Sequence, residues 1–357
     1  MPTPGRGLLL ALALICPAVA LAGAAAQAPR ISKPRPAPPG LPNLPPLPPA
    51  IYDPTLSVGG EDIKARRVES RLGVDVLVNG RGPYHFVVDS GADTSVVGLR
   101  VARALQLPLG TPAVLNGMTD RSLVDRVKVD ALTLGPTTVR NLQLPALRED
   151  DVGGDGLLGI DALVQQRLMM DFEKHLIKVE DARTRWVSLP GEIVITARRQ
   201  RGQLILTEVR AAGLRLDAVI DTGSEVTIGN LALRDQLFRK HPDRFSSVKA
   251  TGVTGVTIDL QMASIPDLRL GPVVINDVPI AFADAPPFEV FGLSHEPALL
   301  LGTDILEAFR RVSLDFRARK VRFQLRRCTE DSFVISTVAE NTFTRIYSQG
   351  GAEVCAR

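Results

Sequence analysis

Apolar residues along this chain fall in short alternating or continuous runs, the spacing of strands, and only rarely at the spacing of a helix face. Val74–Val78, a turn at Asn79-Gly80-Arg81-Gly82-Pro83, and His85–Val88 predict a hairpin. Leu204–Val209, Ala212-Gly213 and Leu216–Ile220 predict another. Val127–Leu134, Val139–Leu144, Met262–Leu270 and Val273–Ile280 read as packed strands. Helical spacing is confined to Val101–Leu105 and Leu231–Phe238, plus Ala162–Gln166 and Ile305–Phe309, for which Asp161 and Asp304 are the expected N-caps. Many short strands with few short helices predict an all-β fold.

The pattern then repeats. Val87-Val88-Asp89-Ser90-Gly91-Ala92 returns as Val219-Ile220-Asp221-Thr222-Gly223-Ser224. Leu132-Thr133-Leu134-Gly135-Pro136 returns as Leu268-Arg269-Leu270-Gly271-Pro272, and Leu157-Leu158-Gly159-Ile160-Asp161 as Leu300-Leu301-Gly302-Thr303-Asp304. Asp171-Phe172 returns as Asp315-Phe316. Four landmarks in one order, with a slowly growing offset, indicate a duplicated lobe. The copies are assigned to residues 58–187 and 188–326, with a connector from Trp186 to Gly191. Insertions in the second copy are expected at Arg239–Ser247 and Asp284–Glu296.

Outside the lobes, Arg6 precedes an apolar run from Leu8 to Leu21 and then small residues, so residues 1–26 read as a secretory signal peptide. The alternative is an uncleaved anchor, the only route to a membrane that the sequence offers. Export to the periplasm is the expectation. Residues 27–57 are proline-rich and predict an extended polyproline-like spacer that holds the lobes away from the membrane or cleavage site. Cys328 and Cys355 lie in the tail 327–357; in an oxidising compartment the simplest reading is one disulfide closing that tail, two free thiols being the alternative.

Composition mainly excludes. The 357 residues carry a net charge of +3 with no basic cluster interleaved with aromatics, so nucleic acid is not an expected partner. His85, His175, His241 and His295 lack metal-ligand spacing, no Gly-x-Ser-x-Gly elbow occurs, and no cofactor is implied. Gly154-Asp155-Gly156-Leu157-Leu158-Gly159 fits a dinucleotide fingerprint, but charged Arg148-Glu149-Asp150-Asp151 precedes it where a buried strand should lie.

The chemistry resides in the two triplets. Each delivers a carboxylate from the end of an apolar strand into a tight turn. Two carboxylates about 3 Å apart cannot both ionise cheaply and hold one proton between them. One then accepts a proton from water while the other donates to a carbonyl oxygen. Gly91 and Gly223 permit close backbone approach, and Ser90 and Thr222 carry hydroxyls able to lock the two turns together.

Over residues 60–325 the chain resembles a retropepsin-type aspartic protease of the bacterial exported kind, with two retroviral-protease-like lobes in one polypeptide. The resemblance implies a bilobal acid-protease fold of two closed β lobes, an endopeptidase activity on a peptide or protein substrate, and a catalytic pair Asp89 and Asp221. It makes Leu157-Leu158-Gly159 and Leu300-Leu301-Gly302 supporting loops beneath the triplets. Ala92, Asp93, Ser224 and Glu225 become substrate-binding positions, and flaps are implied near Gly117-Met118-Thr119 and Gly252-Val253-Thr254-Gly255. Two departures stand out. Ile160 and Thr303 occupy positions where the family often has an Arg paired with the acid after the triplet, and neither flap carries a Tyr. Intramolecular lobe pairing in a monomer is the favoured arrangement and a dimer the alternative. A non-catalytic peptide-binding module keeping the same fold is the competing function.

Overall fold

Each half of the chain rolls its strands into a closed six-stranded barrel. The computed structural model describes residues 30–43, 61–64, 66–68, 71–135, 137–163, 166–183, 186, 191–239 and 245–326. The expected signal segment and the tail with Cys328 and Cys355 lie outside these residues. In the first barrel the order is Arg71–Val78, Arg81–Val88, Gly156–Leu158, Val96–Gly98, Thr137–Leu147 and Arg126–Leu134. Pairing of Leu77 with Thr133 and Val78 with Leu132 closes it. The second runs Gln203–Ala211, Leu214–Ile220, Ala298–Leu301, Ile228–Gly229, Val273–Phe282 and Thr257–Leu270, closed by Val209 on Leu270.

Period-two alternation fixes which side faces in. Val127 and Val129 are buried while Lys128 and Asp130 point out, so a one-residue slip there would exchange core for solvent. The core strands ending at Val88 and Ile220 are buried on successive residues, because each is covered on both faces. The first hairpin turn is tighter than the sequence suggests: only Asn79 and Gly80, both with positive φ, lie outside the strands, and pairing resumes at Arg81.

Beneath both barrels lies a six-stranded antiparallel sheet drawn from the two halves. Its order is Glu61–Lys64, Leu176–Asp181, Gln166–Asp171, Phe309–Asp315, Lys320–Leu325 and Glu192–Gln200. The two central strands come from different halves, and two reciprocal ion pairs fasten them. Arg167 Nε lies 3.1 Å from Asp315 Oδ2, and Arg311 Nε lies 2.6 Å from Asp171 Oδ2. Arg167, Asp171 and Asp315 are buried, so removing one partner of a pair strands a charge, at a cost of about 3–5 kcal/mol. The Trp186 ring lies against the guanidinium groups of Arg167 and Arg322, 4.8 and 4.4 Å from its centre. The halves therefore pair within one chain in this structure.

Three expectations need correction. Asp161 and Asp304 are not N-caps: they lie inside one-turn helices, Ile160–Leu163 and Thr303–Leu306, and the second is preceded by Gly302 without a side-chain cap. Leu157-Leu158 and Leu300-Leu301 are not loops but strands, in parallel register with Val87-Val88 and Val219-Ile220. The described part of the proline-rich segment, residues 30–43, is not a free spacer. It lies on the protein, and its strand Arg35–Pro36 pairs with Arg121–Val124.

Candidate active site

The two triplets meet between the barrels. Asp89 and Asp221 each follow a core strand, and their amides donate to Leu158 O and Leu301 O, both at 3.0 Å. Asp89 Oδ1 accepts from the amides of Gly91 and Ala92 at 2.9 Å; Asp221 Oδ1 accepts from those of Gly223 and Ser224 at 3.1 Å. Each carboxyl is thus fixed by its own turn. A methyl carbon on Gly91 would lie 2.5 Å from Asp221 Oδ1, and one on Gly223 would overlap the Asp89 carboxyl. Glycine at both positions is what lets each acid reach across to the opposite turn.

The hydroxyls form a closed interlock beneath the acids. Ser90 N donates to Thr222 Oγ1 at 2.9 Å and Thr222 N to Ser90 Oγ at 3.2 Å. Ser90 Oγ donates to Ile220 O and Thr222 Oγ1 to Val88 O, both at 2.9 Å. Both residues are buried, so these bonds exclude competing water.

A second symmetric brace lies one layer deeper. Asp161 accepts from Ser95 N at 2.9 Å and Ser95 Oγ at 2.6 Å, and Gly159 N donates to Ser95 Oγ. Asp304 accepts from Thr227 N at 2.9 Å and Thr227 Oγ1 at 2.7 Å, and Gly302 N donates to Thr227 Oγ1. Burial pushes the carboxyls of Asp161 and Asp304 up, the latter to about 6, against the pull of these donors.

Two hairpins cover the acids. The first joins Ala113–Asn116 to Arg121–Val124, and the second joins Ser246–Thr251 to the start of Thr257–Leu270. Their tips carry the residues expected as flaps, and they cross. Met118 packs on the apolar cluster of the second barrel around Phe288 and Leu300. Val253 packs on that of the first, around Val96 and Leu157. Thr254 Oγ1 donates to Asp120 Oδ1 where the tips meet. Under them lies a cavity of about 470 Å³ whose walls include Asp89, Asp221, Ala92, Asp93, Ser224 and Glu225.

The sequence matches the aspartyl protease family over residues 74–162 and 207–305, once in each barrel and over more than half its length. The chain belongs to the aspartyl protease family. No curated protein matches it.

Within this family framework, the missing Arg after each apolar-apolar-Gly has a replacement from across the cleft. Arg71 Nε, in the first barrel, lies 3.2 Å from Glu225 Oε1 of the second. Arg201 Nη2, in the second half, lies 3.5 Å from Asp93 Oδ2 of the first. Sequence reading missed both arginines, because nothing local ties Arg71 to a residue more than 150 positions away.

The pseudosymmetry fails at one point that matters electrically. By the offset of the triplets, Arg71 corresponds to Gln203, which donates from Nε2 to Gly91 O at 3.3 Å. A cation on one side faces a neutral amide on the other. Burial raises both acids of the pair. The amides of Ala92 and Gly91 pull Asp89 back down and Arg71 adds to that pull, whereas the charge on Asp89 pushes Asp221 further up, to about 8. Asp89 opens partly to the cleft and Asp221 is buried, which favours the same division of charge.

Proposed function

We propose that this protein is an aspartic endopeptidase whose dyad is Asp89 and Asp221. The observation that carries the reading is the mutual approach of the two carboxyls, each seated against the other's glycine under crossed flaps. In the resting state Asp89 is the carboxylate and Asp221 holds the proton. A water between them loses a proton to Asp89 as its oxygen attacks the peptide carbonyl carbon, and Asp221 protonates the carbonyl oxygen. The tetrahedral diol then collapses. Asp89 returns its proton to the leaving nitrogen, and Asp221 recovers one from the hydroxyl as the new carboxyl forms. The enzyme ends in its starting protonation state.

The substrate lies extended along the cleft, between the flap strands and the turns after each triplet, where main-chain hydrogen bonding suits a strand-like peptide. Asp93 and Glu225, held by Arg201 and Arg71, face that backbone. One chain supplies both acids, in line with the intramolecular pairing of the barrels. The reading includes export, supported by the pattern of residues 1–26, so that a proteolytic cleft works outside the cytoplasm.

The test is cleavage of an unfolded protein by purified wild type, Asp89→Asn and Asp221→Asn between pH 3 and 7, followed by mass spectrometry of the products. Wild type is expected to give discrete fragments and both variants none. Cleavage by either variant at the wild-type rate refutes the dyad. Tight peptide binding without any cleavage by wild type would identify a non-catalytic binding module instead.

A further inference from the structure

The described part of the proline-rich segment, residues 30–43, runs from the core to the first flap and pairs with it. Ile31 packs against the main apolar core. Ser32 N donates to Asp125 Oδ2 at 2.8 Å. Arg35 and Pro36 pair with Leu123 and Ser122, and Ala37 N donates to Arg121 O at 3.0 Å. The Arg121 guanidinium donates to Leu41 O, and Asn116 Nδ2 donates to Asn43 Oδ1 at 3.0 Å. Ile31, Pro34 and Ala37, every third residue, are the half-buried ones, the period of a polyproline-type strand.

The two flaps differ in a way that accounts for this arm. The second flap is one arm of Thr257–Leu270, a 14-residue strand that runs unbroken into its barrel, where it pairs with Val273–Phe282 and Gln203–Ala211. The first flap lacks that continuity: Arg121–Val124 ends and Arg126–Leu134 begins on either side of Asp125, and the flap forms a separate sheet. An isolated two-stranded hairpin is marginal in water, whereas a third strand makes it stable. The arm provides that strand and bridges the break, from Ile31 against the core past Asp125 to Asn116 beside the tip. Pro36, without an amide hydrogen, suits the new outer edge.

We propose that residues 30–43 are a working strand of the first flap: they hold it in register over the cleft, and Asn43 with Asn116 forms a polar subsite that binds substrate backbone at the cleft mouth. Both asparagines line the cavity. A pre-ordered flap spares the substrate the entropy of ordering it, so the arm acts on binding more than on the chemical step. Only the kinetic part of this inference rests on the peptidase reading.

The experiment compares the full chain with a variant lacking residues 30–43 and with Ser32→Pro/Ala37→Pro, which removes the two arm amides without removing the arm. Hydrogen exchange of the amides from 113 to 124 is expected to accelerate at least tenfold in both, while barrel amides keep their protection. With a peptide substrate, KM should rise about tenfold, the equivalent of about 1.4 kcal/mol, with kcat within about twofold. Asn43→Ala should raise KM by about two- to threefold, the loss of one neutral hydrogen bond, and leave exchange unchanged. Unchanged flap exchange in both arm variants overturns the inference even if no cleavage is found. A fall in KM or a gain in activity also overturns it, by making the arm an inhibitory segment.

Discussion

Thr222→Val tests whether the two halves are locked at the dyad itself. The substitution keeps the shape of the side chain and removes its hydroxyl. Ser90 N loses its acceptor and Val88 O loses a donor, both in buried surroundings. Leaving a buried polar group unsatisfied costs about 1–3 kcal/mol, so the expected loss is about 2–6 kcal/mol, a large share of a typical domain's stability. Ser90→Ala should cost a similar amount, since its hydroxyl donates to Ile220 O and accepts from Thr222 N. Because both hydroxyls fasten the same two turns to each other, the double variant should lose clearly less than the sum of the singles. Guanidinium unfolding followed by tryptophan fluorescence is well placed to see this. The only tryptophan, Trp186, stacks against Arg167 and Arg322 beneath the junction of the halves. A loss below about 1 kcal/mol for Thr222→Val, or strict additivity with Ser90→Ala, would contradict a closed interlock.

Two further outcomes follow from the charges and a third from the pairing of the halves. Arg71→Gln, which copies the opposite half's Gln203, should move the acid limb of the kcat/KM profile to higher pH, since a nearby cation favours the ionised carboxylate. Arg71→Lys should restore the limb; no shift in the Gln variant would remove Arg71 from the dyad's control. Asp221→Asn should grow more stable relative to wild type as pH rises from about 4 to about 8. The folded-state value of Asp221 is raised, so its stabilising contribution is complete below the unfolded carboxyl value and disappears as pH climbs through the folded one. A pH-independent difference in midpoint would contradict this. Mixing Asp89→Asn with Asp221→Asn should restore no activity, and recovered cleavage would show that barrels pair between chains.

The sequence showed most of what is local and little of what crosses between halves. Leu231–Phe238 is a helix over the predicted residues, and the paired hairpins lie where the apolar runs put them. Those features depend on spacing within a few residues. The sheet beneath the barrels was not legible, because Glu192–Gln200 buries only Ile195 and Ala197 and has a mostly polar pattern. The helix-capping expectation for Asp161 and Asp304 failed because both carboxylates are drawn instead to Ser95 and Thr227, which brace the strands under the triplets. Proline content suggested a free spacer for residues 30–43. Composition gives the extended conformation but cannot show that an unpaired flap edge is waiting for it.

Everything proposed for the site depends on Asp89 and Asp221 carrying one proton between them. Protein labelled with 13C at the aspartate carboxyl carbons lets that be counted by NMR titration, with Asp89→Asn and Asp221→Asn assigning the signals. The account predicts two well-separated macroscopic steps, one proton persisting on the pair through neutral pH, and the upper step vanishing when either acid is replaced. Both carboxyls ionising together near the ordinary aspartate value of about 4 would contradict it.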